Sequence, residues 1–273
     1  MPRTAQEKRA DFRALHAEGC FVIPNPWDAG SARMLEGLGF KALASTSSGF
    51  AWSQGHSDSS VSREVVLAHL RMLSAATDLP VNADFEAGYA STPAGVAESV
   101  RMAIDTGVSG LSIEDATYDE ANPLRSIDDA VARIKAARAA IDESKSGVLL
   151  VGRAENFIVG RPDLDDTVKR LKAYSDAGAD CLYSPGIRTT EQITAVVKAV
   201  APKPVNLLIG WASDLTLKDV EAMGVRRISV GGALARSAWG GFMRAAKQIA
   251  DEGRFEAFSA AASGKDLNEF FAK

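Results

Sequence analysis

A (β/α)8 barrel is the fold class that the sequence predicts, on three observations. Eight short, apolar, β-rich runs alternate with segments of helical periodicity. Several of those segments end in glycine just before the next run, as helix C-termini do. The chain has 273 residues, close to the roughly 250 that eight βα units occupy. A doubly wound open sheet is the competing architecture, and it is disfavoured because no GxGxxG fingerprint follows any run.

In chain order, the N-terminal stretch "MPRTAQEKRADFRALHAEG" is charged and helical in pattern rather than signal-like. The first run, "FVIPNP" (21–26), leads to "NPWDAGSAR", where Asp28 falls where a helix begins and reads as its N-cap. "KALAST" (41–46) follows, then a helical segment over 61–77, "LPVNADFE" (79–86), and a helix over 92–107. "GLSIED" (110–115), a helix over 126–141, "GVLLVGRAE" (147–155) and a helix over 164–178 continue the alternation. "DCLYSPG" (180–186), a helix over 189–200, "PVNLLIG" (204–210), a helix over 216–224 and "RISVGG" (227–232) complete it. Gly39, Gly107, Gly178 and Gly224 stand at the expected helix stops. No linker divides the chain, so residues 1–273 read as one barrel domain with a helical tail from about Trp239.

Composition excludes several classes of function. The chain is 46% hydrophobic and 24% charged, which suits a globular protein with a substantial core. Its net charge of −4, from 31 basic and 35 acidic residues, shows no basic stripe interleaved with aromatics, so nucleic acid and anionic membrane are not expected partners. Cys20 and Cys181 lie far apart in unrelated contexts, and no apolar run reaches the length of a membrane span. A reducing, cytoplasmic location is expected. Cys181 reads as a core residue of an apolar strand, and His16 and His69, on amphipathic helices, as surface or satisfied side chains.

Active sites of this fold gather at the C-terminal ends of the strands. The polar residues fall there: "STSSGF", "ADFEAGY", "IED", "GRAEN" and "YSPG" end successive runs. Asp84, Glu86, Glu114, Asp115, Arg153 and Glu155 are therefore expected to ring one mouth. Asp84 and Glu86 lie two places apart, which in an extended strand puts both on one face. Like charges held that close need a compensating cation. Many carboxylates with few His or Cys make a hard-oxygen site suited to Mg²⁺ or Mn²⁺ rather than zinc. One Arg opposite the metal would pair with a substrate carboxylate, so small anionic molecules are the expected guests. No lysine ends a run, which weakens a Schiff-base reading. The glycines of "SVGGALAR" suit either a phosphate loop or a close turn.

Taken in order, "NPWDAGSARMLEGLGFKALASTSSG", "DFEAGYA", "GLSIED", "GRAENFIVG", "AYSDAGAD" and "GVRRISVGG" resemble the isocitrate lyase/phosphoenolpyruvate mutase superfamily over nearly the whole chain. The resemblance implies a barrel whose last helix is exchanged between paired subunits, in a homo-oligomer of two or four chains. It implies Mg²⁺ or Mn²⁺, with Asp84 as direct ligand and Asp58, Glu86 and Glu114 holding metal-bound waters. Ser48, Gly49 and Phe50 match the segment that grips the substrate's carboxylate, and Arg153 the arginine that neutralises it. Members make or break C–C or P–C bonds beside a carboxylate, the former through a metal-bound enolate of a 2-oxo acid.

Two departures narrow the reading. Glu86 stands where members usually have Asp. The loop "DATYDEANPLRSID" has neither the Lys-Lys-Cys-Gly-His signature of the lyase branch nor any Lys to meet a phosphoryl group, although Asn122 could fall where the mutase branch has Asn. What remains is a Mg²⁺-dependent lyase on a small 2-oxo or 2-hydroxy carboxylate, with Arg153 and Asp58 in catalytic roles and Tyr118, Arg125 or water as proton donor. The alternatives are a P–C bond enzyme acting on phosphonopyruvate and a binding barrel with little catalysis.

Overall fold

The structure is a computed structural model that describes residues 2–272. The two end positions of the expected 1–273 domain lie outside the described residues. All eight runs form strands: β1 (Phe21–Ile23), β2 (Leu43–Ala44), β3 (Val81–Ala83), β4 (Gly110–Glu114), β5 (Leu149–Arg153), β6 (Cys181–Tyr183), β7 (Val205–Leu208) and β8 (Arg227–Ser229). Each strand is shorter than its run because the polar C-terminal part of the run leaves the ladder for the loops above. The strands pair in parallel in the order β1-β8-β7-β6-β5-β4-β3-β2. Across the remaining gap the Ala44 N–H donates to the Pro24 carbonyl at 3.0 Å, so the barrel is nearly closed. Eight parallel strands ringed by helices are a (β/α)8 barrel.

Helix α1 (Ala5–Leu15) precedes the barrel; α2 (Ala29–Gly37) follows β1, and α3 (Ser47–Ser53) and α4 (Arg63–Ala76) both follow β2. Then come α5 (Pro93–Ile104), α6 (Ile127–Ser144), α7 (Leu164–Asp176), α8 (Thr190–Val200) and α9 (Leu217–Ala222), one after each strand from β3 to β7. The chain ends in α10 (Ala233–Glu252), a 3₁₀ turn and α11 (Gly264–Phe271). Asp28 caps α2 as expected, its Oδ1 accepting from the Ser31 N–H at 2.6 Å. The four glycines expected as helix stops take φ from +84° at Gly224 to +104° at Gly178, a region open to glycine at little cost. Among the described residues no helix is long and apolar enough to cross a membrane.

Because both faces of each strand are covered, two apolar layers form. Leu111, Ile113, Leu150, Leu182 and Leu207 pack outward against the helices. Ile23, Ala44, Leu149, Val151 and Cys181 point inward, where Phe12 of α1 plugs the barrel floor. A Cβ at Gly110 would lie 2.7 Å from the Phe12 ring, so glycine is what admits the plug. Full burial of Phe12 contributes about 1.5–3 kcal/mol. Both helical histidines are satisfied, His16 Nδ1 on the Phe12 carbonyl at 2.7 Å and His69 Nε2 on the Trp27 carbonyl at 3.0 Å.

Candidate active site

The C-terminal ends of the strands open into a cavity of about 380 Å³. Asp84, Arg153, Ser48 and Asp58 line it near the mouth. β3 stops at Ala83 because the next N–H, that of Asp84, donates to Ser45 Oγ at 2.8 Å instead of to a strand. The chain then winds left-handed through Glu86, Gly88 and Tyr89, with φ of +46°, +83° and +52°. For the two non-glycine residues that costs on the order of 1 kcal/mol each. Strand alternation, the sequence's reason for pairing Asp84 with Glu86, therefore ends one residue too early. The turn brings Glu86 close enough for Asp84 to act on its charge, and the Tyr89 hydroxyl holds it by donating to Oε1 at 2.8 Å.

Arg153 closes β5 and is the register partner of Glu114 on β4 and Tyr183 on β6. Its Nη1 donates to Asp84 Oδ1 at 3.0 Å and lies 3.0 Å from Glu114 Oε2, while its Nε donates to Glu155 Oε1 at 2.5 Å. Burial works against the Arg153 charge, but Glu114, Glu155 and Asp84 outweigh it and keep the guanidinium protonated. Burial pushes the Glu114 and Glu155 carboxyls up, with Arg153 opposing in both. Glu86 is pushed to about 7, mainly by burial with Asp84 and Asp58 adding, against the Tyr89 and Tyr118 hydroxyls. Asp58, exposed at the rim, is also raised, first by local desolvation and then by Asp84.

Asp115, expected in the ring, is not there. It follows Glu114 directly, so its side chain takes the opposite face. Its Oδ2 accepts from Arg170 Nη1 at 3.0 Å and from the Tyr174 hydroxyl at 2.5 Å, and its Oδ1 accepts from the Glu155 N–H at 2.8 Å. It braces α7 against the end of β5.

The "SSGF" segment opens α3, where the Ser47 N–H donates to Asp84 Oδ2 at 2.9 Å. Ser48 faces the cavity. Gly49 is fixed by space, since a Cβ would sit 2.7 Å from the Thr46 methyl. Phe50 points away and stacks on His69 with ring centroids 3.7 Å apart, so it anchors α3 and does not line the cavity. Asn122 is not brought to the cavity either. An antiparallel bridge between Ala116 and Leu124 folds its loop into a short hairpin, and Asn122 lines a separate cleft with Asn156, Arg161 and Asp166. Tyr118 leans on the site, donating to Glu114 Oε1 at 2.8 Å and accepting from the Ala87 N–H at 3.1 Å. Arg125 pairs with Asp129 at 3.2 Å and does not line the cavity.

Among the described residues no three His, Cys, Asp or Glu side chains converge as direct metal ligands, because Arg153 sits among the acids. The donors are nonetheless all carboxylate oxygens: three acids, Asp84, Glu114 and Glu155, hold one guanidinium, and Glu86 and Asp58 feel the charge of Asp84. That set fits Mg²⁺ or Mn²⁺ bound through one or two carboxylates with its waters retained.

The sequence reading missed the lower half of the cavity, where Asn82, Ser112, Asn206, Arg227 and Ser229 line the walls and floor. The signal was present as Asn or Arg inside otherwise apolar runs, since a buried polar group there needs a reason.

A (β/α)8 barrel with an acid ring around one arginine at its C-terminal mouth defines the class as an enzyme. Residues 12–250 match the phosphoenolpyruvate phosphomutase family, and the chain belongs to it, within the phosphoenolpyruvate mutase/isocitrate lyase superfamily. The solved structure of a Burkholderia cenocepacia J2315 protein assigned as a lyase/mutase is similar at a TM-score of 0.96 and 47% identity, over 98% of each chain. An uncharacterized protein of Mycobacterium tuberculosis (strain ATCC 25618 / H37Rv) is 31% identical over 224 residues, 81% of each chain. An oxaloacetate decarboxylase of Bradyrhizobium sp. (strain ORS 278) is 30% identical over 224 residues, 79% of this chain and 74% of that one.

Proposed function

We propose that the chain is a Mg²⁺- or Mn²⁺-dependent lyase that makes or breaks a C–C bond next to a carboxylate in a small 2-oxo or 2-hydroxy acid. The observation that carries this reading is the Arg153 guanidinium held protonated among Asp84, Glu114 and Glu155 at the cavity mouth. Asp84, backed by Asp58, Glu86 and Glu114, would hold the cation, which when bound supplies Lewis acidity to the substrate's 2-oxo group. Arg153 places a fixed positive charge where negative charge develops during bond cleavage, and its three acids fix its position so that little reorganises during the reaction. Ser48, which lines the cavity, shapes the wall that orients the substrate carboxylate, and Gly49 allows α3 to pack close behind it. Tyr118 keeps its proton on Glu114, which leaves water as the proton donor to the product. The Bradyrhizobium relative's name favours a 2-oxo dicarboxylate such as oxaloacetate.

The test is a Mg²⁺-dependent turnover assay on oxaloacetate, 2-methylisocitrate, isocitrate, dimethylmalate and phosphonopyruvate, with Arg153→Ala as control. C–C cleavage of one acid that vanishes in the control is the expected result. Phosphate release or phosphoenolpyruvate formation would replace this reading with P–C chemistry, and binding without turnover across the panel would leave a 2-oxo acid binding barrel.

We also propose that the chain self-associates through α10. Of its 20 residues only Ala235 is buried, while Trp239, Phe242 and Met243 expose apolar surface. Sedimentation equilibrium should give a dimer or tetramer, and Phe242→Glu should shift it toward monomer.

A further inference from the structure

Arg227 is a buried charge that the mouth does not account for. It opens β8, is 3% exposed, and lines the same cavity as Asp84 and Arg153. Its Nε donates to Asn206 Oδ1 at 2.9 Å, and its Nη1 lies 3.4 Å from both Asn82 Oδ1 and His16 Nε2. Below it lies the Phe12 ring, 6.0 Å from Cζ to centroid. Every one of these neighbours is neutral. His16 donates its Nδ1 proton to the Phe12 carbonyl, which leaves Nε2 as an acceptor toward Arg227. Among the described residues no carboxylate comes within 4.0 Å of this guanidinium, and its Nη2 makes no hydrogen bond.

Other buried arginines of this protein are treated differently. Arg133 pairs with Asp129, and Arg170 with Asp115 and Asp166. Arg9, which also lacks an acid, spends its donors on the Val108 and Ile104 carbonyls and lines none of the cavities described above. A buried cation without a counter-ion is costly, and neutral acceptors relieve only part of that cost. A guanidinium facing a cavity with a free N–H is poised for an anion that arrives with the ligand.

The position of Arg227 relative to the mouth sets the size of that ligand. Asn82, its acceptor on β3, and Asp84, the first residue past the end of β3, are two residues apart, at most about 7 Å of chain. Ser112 and Ser229 supply hydroxyls along the wall between them, and Ser229 Oγ accepts from Asn206 Nδ2 at 2.9 Å. The cavity thus has a carboxylate clamp at the mouth, a polar wall, and an uncompensated cation at the floor. We propose that Arg227 binds the distal carboxylate of a short dicarboxylate whose other end is held at the mouth, so that it selects dicarboxylates over monocarboxylates. This rests on the mouth being the carboxylate and metal end, as proposed above.

The test compares succinate with butyrate, ligands of the same chain length that differ by one carboxylate, by calorimetric titration of the full chain with and without Mg²⁺. Wild type should bind succinate about 10- to 100-fold more tightly, the range of charge-assisted hydrogen bonds to one added carboxylate. Arg227→Met should bring succinate down to butyrate and leave butyrate unchanged. Asn206→Asp, which supplies Arg227 with a carboxylate in place of its amide acceptor, should do the same without removing the guanidinium, and it decides the matter if Arg227→Met does not fold. An unchanged ratio in the folded variants would overturn the proposal, as would an equal loss of both ligands. Failure of the mouth reading shows separately, as butyrate affinity that depends on neither Mg²⁺ nor Arg153.

Discussion

At the mouth of the barrel Arg153 is held by three carboxylates, Asp84, Glu114 and Glu155, whereas at the floor Arg227 is held by two asparagines and a neutral histidine. Arg227 is buried and Arg153 largely so, and both face one cavity. The mouth has more negative charge than its arginine can neutralise, and its acids respond by shifting their carboxyls upward. The floor has more positive charge than its neighbours can neutralise. Opposite imbalances a few residues apart suit a bound cation at one end and a bound anion at the other.

The largest expected effect breaks the mouth. Arg153→Ala should abolish turnover and, at pH 7.5, lower stability by about 3–5 kcal/mol, because it leaves Glu114 and Glu155 buried without a cation. Kinetics and urea melts on one preparation read both effects, and near-wild-type turnover would remove Arg153 from the chemistry. Asp115→Asn is the control from the other face of β4. It should cost about 2–3 kcal/mol by weakening the Arg170 and Tyr174 bonds, with turnover per folded molecule little changed.

Acidification should separate the two ends. Burial, then Arg227, pushes His16 down to about 3, below its usual 6.5. The unfolded chain therefore takes up the proton first, and stability falls as pH drops below 6.5. By pH 5 that loss is at most about 2 kcal/mol, and a His16→Gln variant should lack it; parallel melts of both proteins from pH 7 to 5 read it out. Glu86 has the opposite sign. Held up to about 7, it keeps its proton in the folded state after the unfolded chain has released it. Its contribution to metal-free stability is therefore lost as pH rises from about 4.5 to 7. Glu86→Gln should accordingly stabilise the metal-free protein by about 1 kcal/mol at pH 7.5, a figure reduced for residual solvent, and hardly at all at pH 4.5. Added Mg²⁺ should erase that gain if the acids hold the cation, and a gain that persists would exclude Glu86 from the metal site.

Much of this molecule was legible in its residues. The eight apolar runs became the eight strands, Asp28 capped its helix, and the acids fell at one end of the barrel because the loops there carry the polar residues. What misled was local geometry. Glu114 and Asp115 look alike in sequence, yet one faces Arg153 and the other Arg170, since adjacent strand residues point to opposite sides. Asn122 missed the cavity because the bridge from Ala116 to Leu124 turned its loop aside.

By itself the sequence determined the alternation of strand and helix and the clustering of carboxylates, because periodicity and turn chemistry are local properties of the chain. Only the tertiary structure decided that Glu86 returns to Asp84 through a left-handed turn and that Asn82, Asn206 and Arg227 meet at one floor. Strands buried on both faces read as apolar throughout, so which of their rare polar residues share the interior is set by the register and closure of the barrel.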